Sequence, residues 1–135
     1  MTQISPALMF SGIRHGKAEE AIQFYVSLFP NSRVEHIERS VAGEHEREGT
    51  VKQAIFVLNE RSFKAMDSSG PHNFNFTPSV SLFVDCESED EIDHLFRALS
   101  EAGEALMPLS NYGFSKKFGW VNDRFGVSWQ LNLPG

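Results

Sequence analysis

The feature that most limits what this chain can become is that its pattern occurs twice. Ala18 to Phe29 (AEEAIQFYVSLF) and Glu89 to Ser100 (EDEIDHLFRALS) each open on acidic residues and continue with apolar residues at helical spacing. Ala21, Ile22, Tyr25, Leu28 and Phe29 form the first stripe, and Ile92, Leu95, Phe96 and Leu99 the second. Ser88 with Glu91 three residues on predicts a capped start for the second helix, and Gly103 a stop after it. A short apolar run precedes each helix, ALMF in one copy and SLFVD in the other, and a strand pair with a polar turn follows it. The turns share Asn-acid-Arg, as Asn59-Glu60-Arg61 and Asn122-Asp123-Arg124. The order predicts an α+β domain over residues 1–135, made of tandem βαβββ modules at about 3–67 and 78–133. A linker with Gly and Pro punctuation joins them over about 68–77.

Charge and composition narrow the partners. A formal charge of -6 and a longest basic run of Lys116-Lys117 argue against nucleic acid, because phosphate binding needs a basic patch. No run of apolar residues is long enough to span a bilayer. The single cysteine, Cys86, allows no internal disulfide, and the N-terminus lacks the pattern of a signal peptide. These points lead us to expect a cytoplasmic protein with neither nucleic-acid nor membrane partners.

Two stretches carry the candidate chemistry. From Val127 to Leu133 the residues alternate strictly, which predicts a half-buried strand with Trp129 and its apolar neighbours on one face and Ser128, Gln130 and Asn132 on the other. Asn111 to Trp120 (NYGFSKKFGW) is dense in aromatics and glycine. Tyr112, Phe114 and Lys116 there could close a barrel end, form a dimer seam, or cap a small organic ligand as a glycine-hinged loop.

AEEAIQFYVSLFPNS, SVSLFVDCESEDEID and WVNDRFGVSWQLNLP together make the chain resemble the vicinal oxygen chelate (glyoxalase/bleomycin-resistance/dioxygenase) superfamily. Within it, the chain is most similar to the PhnB-like branch, which carries the label 3-demethylubiquinone-9 3-methyltransferase. The resemblance implies two modules whose mixed sheets form an open, barrel-like cleft, with helices outside, a small organic ligand inside and assembly as a homodimer. It places Met9, Lys64, Met66, Ser79, Ser81, Phe83, Ser128 and Gln130 along the cleft. Lys64 is the one charge expected near the ligand, because strand alternation puts it on the face of Met66.

Metal-dependent relatives supply His, Glu or Gln from four cleft positions. The corresponding positions here are near Ser5, Met66, Ser79 and Gln130, a weak donor set for a divalent ion, so no cofactor is expected. Exchanging Met66 for Asp67 would turn that donor to the other face. The five histidines are scattered: His15 in the strand-to-helix loop, His36 two residues before Glu38, His45 among Glu44, Glu46 and Glu48, His72 in the linker, His94 beside the helical stripe. The Glu44–Glu48 run reads as a solvated loop. Cys86 sits between Asp85 and Glu87, which oppose a thiolate.

Neither GxGxxG nor GxxxxGK[ST] occurs, so the sequence carries no glycine-rich nucleotide loop to support the methyltransferase label. The leading expectation is a small-molecule-binding protein with its reaction unassigned, and the question of catalysis is open. The alternatives are a metal-dependent lyase, isomerase or dioxygenase, and a drug-sequestering protein.

Overall fold

The computed structural model describes all residues from Met1 to Gly135. They divide into two compact units, Met1–Asn75 and Phe76–Gly135. In the first, β1 (Ala7–Phe10) leads through a short 3-10 turn into α1 (Ala18–Leu28), then β2 (Arg33–Arg39), β3 (Val51–Leu58) and β4 (Arg61–Asp67). The second repeats the order: β5 (Leu82–Asp85), α2 (Glu89–Ser100), β6 (Glu104–Ser110), β7 (Lys117–Asn122) and β8 (Ser128–Leu133). Each unit therefore has the βαβββ order expected from the duplication. Its four strands form one mixed sheet, ordered β1-β4-β3-β2 in the first unit and β5-β8-β7-β6 in the second, with the outer pair parallel and the rest antiparallel.

In the first unit α1 packs on β3, β2 and β4. Ala21, Ile22 and Tyr25 from the helix, with Phe10, Ala54, Phe56 and Ala65 from the sheet, are wholly buried. The Tyr25 and Phe56 ring centroids lie 6.5 Å apart. Phe29, expected on the stripe, is instead the extended residue that ends the helix, and Asn31 follows with φ of 55°, so the chain turns at Pro30-Asn31.

The start of α1 was not legible from local sequence. Lys17 gives no side-chain cap. Asp67, at the end of β4, does this work from 51 and 49 residues away, its Oδ1 accepting from the N–H groups of Gly16 (2.8 Å) and Ala18 (3.2 Å). Its Oδ2 accepts from Val51 N–H at 2.8 Å, so one buried carboxylate ties helix, β3 and β4 together.

In the second unit Ile92, Leu95 and Leu99 of α2 pack with Val121, Trp129 and Leu131. The expected cap is present: Ser88 Oγ accepts from Glu91 N–H at 3.1 Å. The Glu91 carboxylate reaches back to Glu87 N–H at 2.8 Å, one residue before the position a capping box uses. Gly103 is not the left-handed residue after the helix; Ala102 is, with φ of 58°. Gly103 is required for a different reason, since a Cβ there would lie 2.3 Å from the Asn122 carbonyl oxygen.

The two matched turns also differ in build. Asn59 and Glu60, with φ of 46° and 71°, form a two-residue hairpin loop closed by Leu58 and Arg61. The second hairpin is closed by Asn122 and Ser128 and is organised by Asp123, whose Oδ1 accepts from Phe125 N–H (2.8 Å) and Val127 N–H (3.0 Å). Residues 68–75, expected as linker, are tied into the first unit, for example by Ser68 N–H to Phe10 C=O at 2.9 Å.

The Glu44–Glu48 run is not merely solvated. Glu44 pairs with Lys52 and accepts from Val41 N–H at 2.8 Å. Glu46 accepts from Ser69 N–H at 3.1 Å and lies 3.0 Å from His15 Nε2. Sequence distance hid these partners.

Candidate functional site

A sheet packed on a helix by one face offers the other face for binding, and alternation decides which residues stand there. In the second unit Trp129, Leu131 and Leu133 of β8 are buried with α2, leaving Ser128, Gln130 and Asn132 on the open face. Cross-strand register adds Phe83 opposite Gln130, Asp85 opposite Asn132, Trp120 opposite Gln130 and Phe118 opposite Asn132. Gln130 therefore has the orientation the alternation predicts.

Its surroundings form a connected polar patch. Gln130 Nε2 donates to Ser81 Oγ at 3.2 Å, and Ser81 Oγ lies 2.7 Å from Ser128 Oγ. The indole Nε1–H of Trp120 donates to Ser128 Oγ at 2.9 Å. Ser128 is 2% exposed, so its proton has one outlet, Ser81, and it receives from Trp120. That order leaves the Ser81 hydroxyl to donate to Pro78 C=O at 3.4 Å and Gln130 Oε1 as the acceptor at the edge of the patch.

Aromatic rings border it. Phe83 is 56% exposed, Phe114 63% and Tyr112 40%. Tyr112 and Phe114 stack with centroids 6.3 Å apart, both meet Phe118 edge-on, and Phe83 lies 6.4 Å from Phe118. The segment that carries Tyr112 is tethered, with Tyr112 O–H donating to Pro108 C=O at 2.5 Å and Asn111 Oδ1 accepting from Gly113 N–H at 2.8 Å. Lys116 is exposed, and Lys117 is turned instead toward Asp93 of α2, at 2.6 Å.

The structure thus brings Ser81, Phe83, Ser128 and Gln130 to one face, with Tyr112 and Phe114 beside Phe118. Ser79 is not on that strand; it sits in the turn before β5, exposed, with its Oγ 2.7 Å from Thr77 Oγ1. In the first unit, Met9 pairs with Met66 across β1 and β4, and Lys64 shares their face. Ser5 precedes β1.

The positions that a metal would need do not fit one. Ser5 and Ser79 lie off the strands, Met66 offers a thioether, and Gln130 offers one neutral amide oxygen, its Nε2 donating to Ser81. Asp67 faces the helix and gives both oxygens to backbone N–H groups. Nowhere do three His, Cys, Asp or Glu side chains converge. The Cys86 thiol is pushed up to about 12, first by burial and then by Glu91 and Asp85, which leaves it a poor nucleophile.

Comparison with known proteins adds the family. The sequence profile described as 3-demethylubiquinone-9 3-methyltransferase matches residues 2–132. The chain belongs to this PhnB-like family. A PhnB protein from Bacillus cereus carrying the same methyltransferase description is 52% identical over 98% of this chain and 99% of its own, with a TM-score of 0.92. The Pseudomonas aeruginosa protein PA1353 is 26% identical over 99% of this chain and 98% of its own, with a TM-score of 0.82. A glyoxylase/bleomycin resistance protein/dioxygenase domain from Frankia, 17% identical, covers 100% and 99% of the two chains with a TM-score of 0.65 and shares the fold. No curated protein matches. The PhnB-like chain therefore has the vicinal oxygen chelate fold, and no helix in it is long and apolar enough to cross a membrane.

Proposed function

We propose that this PhnB-like protein binds a small, flat organic molecule against the open face of its second sheet. The observation that carries this is the group of exposed rings, Phe83, Tyr112 and Phe114, beside a polar patch that ends in the Gln130 Oε1 acceptor. Rings left to solvent gain by being covered, and Gln130 Oε1 selects a ligand that carries a hydrogen-bond donor on an aromatic frame. No step is assigned to a metal, because the donors do not suit one, and none to methyl transfer. Among the alternatives, sequestration of an aromatic compound is favoured by the ring platform over lyase, isomerase or dioxygenase chemistry. Assembly as a homodimer is part of the same proposal and is read by light scattering of the purified chain.

The test is a thermal-shift screen with 2-naphthol, 2-naphthamide and naphthalene, followed by recovery of the compound. A ligand at 100 times its Kd adds about 2.7 kcal/mol. The polar naphthalenes should raise the melting temperature and be recovered unchanged. Phe83→Ala and Gln130→Leu should remove the shift while leaving the unliganded melting temperature within a few degrees. Equal shifts in both variants would contradict the assignment.

A further inference from the structure

A second recess lies wholly within the first unit and does not depend on the site just described. It encloses about 500 Å³ and is lined by Gln3, Ile4, Ser5, Glu35, Ile55, Ser62 and Lys64. Three of these residues form a row across the sheet. Lys64 of β4 stands directly opposite Ile55 of β3. On the far side Ile55 is in register with His36 of β2, and Glu35 occupies the irregularity between Val34 and His36. The order across the recess is cation, apolar floor, anion. Neighbouring strands are about 4.8 Å apart, so the backbone anchors of Lys64 and Glu35 are separated by about 10 Å.

Neither charge is used up. Lys64 takes part in none of the ion pairs, and the one contact of Glu35, to Arg33 at 3.6 Å, joins two side chains more than half exposed, a pairing worth little in water. Ile4 at the rim is 95% exposed. A ligand that lies along this row would cover apolar surface on Ile4 and Ile55 and meet an opposite charge at each end. The Ser5 and Ser62 hydroxyls and the Gln3 amide are further polar partners on the lining. A dianion would face Glu35 on a chain of formal charge -6, and an α-amino acid holds its two charges too close together to reach both ends.

We propose that this recess binds an elongated zwitterion: a carboxylate held by Lys64, an aliphatic spacer over Ile55, and an ammonium held by Glu35. The probe is 6-aminohexanoate, compared with hexanoate and hexylamine, which each keep one charged end. Binding is followed by backbone amide shifts in the full chain. The expected result is saturable binding of 6-aminohexanoate, with shifts at Ile55, Ser62 and Lys64, and at least fivefold weaker binding of either one-ended analogue. Lys64→Met and Glu35→Gln, which keep side-chain length and leave the fold's buried residues untouched, should each weaken 6-aminohexanoate about five- to tenfold. An unchanged melting temperature in both variants excludes unfolding as the cause.

Failure of 6-aminohexanoate to bind at any concentration up to its solubility would overturn the proposal. So would hexanoate binding equally well with Glu35→Gln without effect, or shifts confined to the second unit. Because the naphthalene probes report on the second sheet and these on the first, either site can fail without the other.

Discussion

Asp123 shows how one side chain can hold a turn and a core together. It is 3% exposed and accepts from Phe125 N–H, Val127 N–H and the Trp129 indole, the last at 2.9 Å. These three partners are all donors, so a carboxylate fits and an amide does not. Asp123→Asn should cost about 2–4 kcal/mol in chemical denaturation, because the new NH2 group confronts either the Trp129 N–H or the two backbone N–H groups. A loss below about 1 kcal/mol would show that the turn does not depend on the charge. The sequence marked Asp123 only as a turn residue. Its partners Phe125 and Val127 are local, but that Trp129 bends its indole back to it is a packing result that alternation alone does not contain. Asp67 was still less legible, since its three donors come from 16 to 51 residues away.

Elements were legible where the pattern is local. The period of α2 and its Ser88 cap, and the alternation of β8, follow from a few neighbouring residues and appear as read. Their ends depended on contacts further off. Ala102 occupies a left-handed conformation that glycine adopts without penalty, while Gly103 is pressed against the Asn122 carbonyl. Ala102→Gly should therefore stabilise the protein by about 0.5–1 kcal/mol, and Gly103→Ala should destabilise it by about 1–3 kcal/mol. Denaturation curves of the two variants test both, and the reverse order of stabilities would refute this reading of the turn. The open-face position of Gln130 was legible from period two, and Ser81 and Phe83 through the family resemblance. The polar chain from Trp120 through Ser128 to Gln130 was not, because it joins side chains from three strands or their ends.

At the scale of the whole molecule, three carboxylates held below their usual range, Glu19, Glu44 and Glu46, lie in the first unit. Glu19 is lowered first by a hydrogen bond from Arg39, Glu44 by one from Lys52, and Glu46 by the backbone N–H of Ser69. A depressed carboxyl contributes stability above its unfolded value, about 4.3, and loses it as pH falls through the lower folded value. Acid below about pH 4 should thus weaken these contacts, with amides of residues 40–50 exchanging faster than at pH 7 once corrected for intrinsic rates; unchanged protection there would count against it. High salt should weaken the same contacts, because they are near the surface. The duplication made the two-module order legible from sequence, and the family resemblance pointed to the open faces as the places to look. The central claim is that the open face of the second sheet takes a flat aromatic ligand. The most direct test is the indole N–H spectrum, because Trp120 lies on that face and Trp129 beneath it. Titration with 2-naphthamide should move the Trp120 resonance saturably and leave that of Trp129 nearly still, and Phe83→Ala should abolish the movement. A stationary Trp120 resonance, or one that moves equally in Phe83→Ala, would contradict the account.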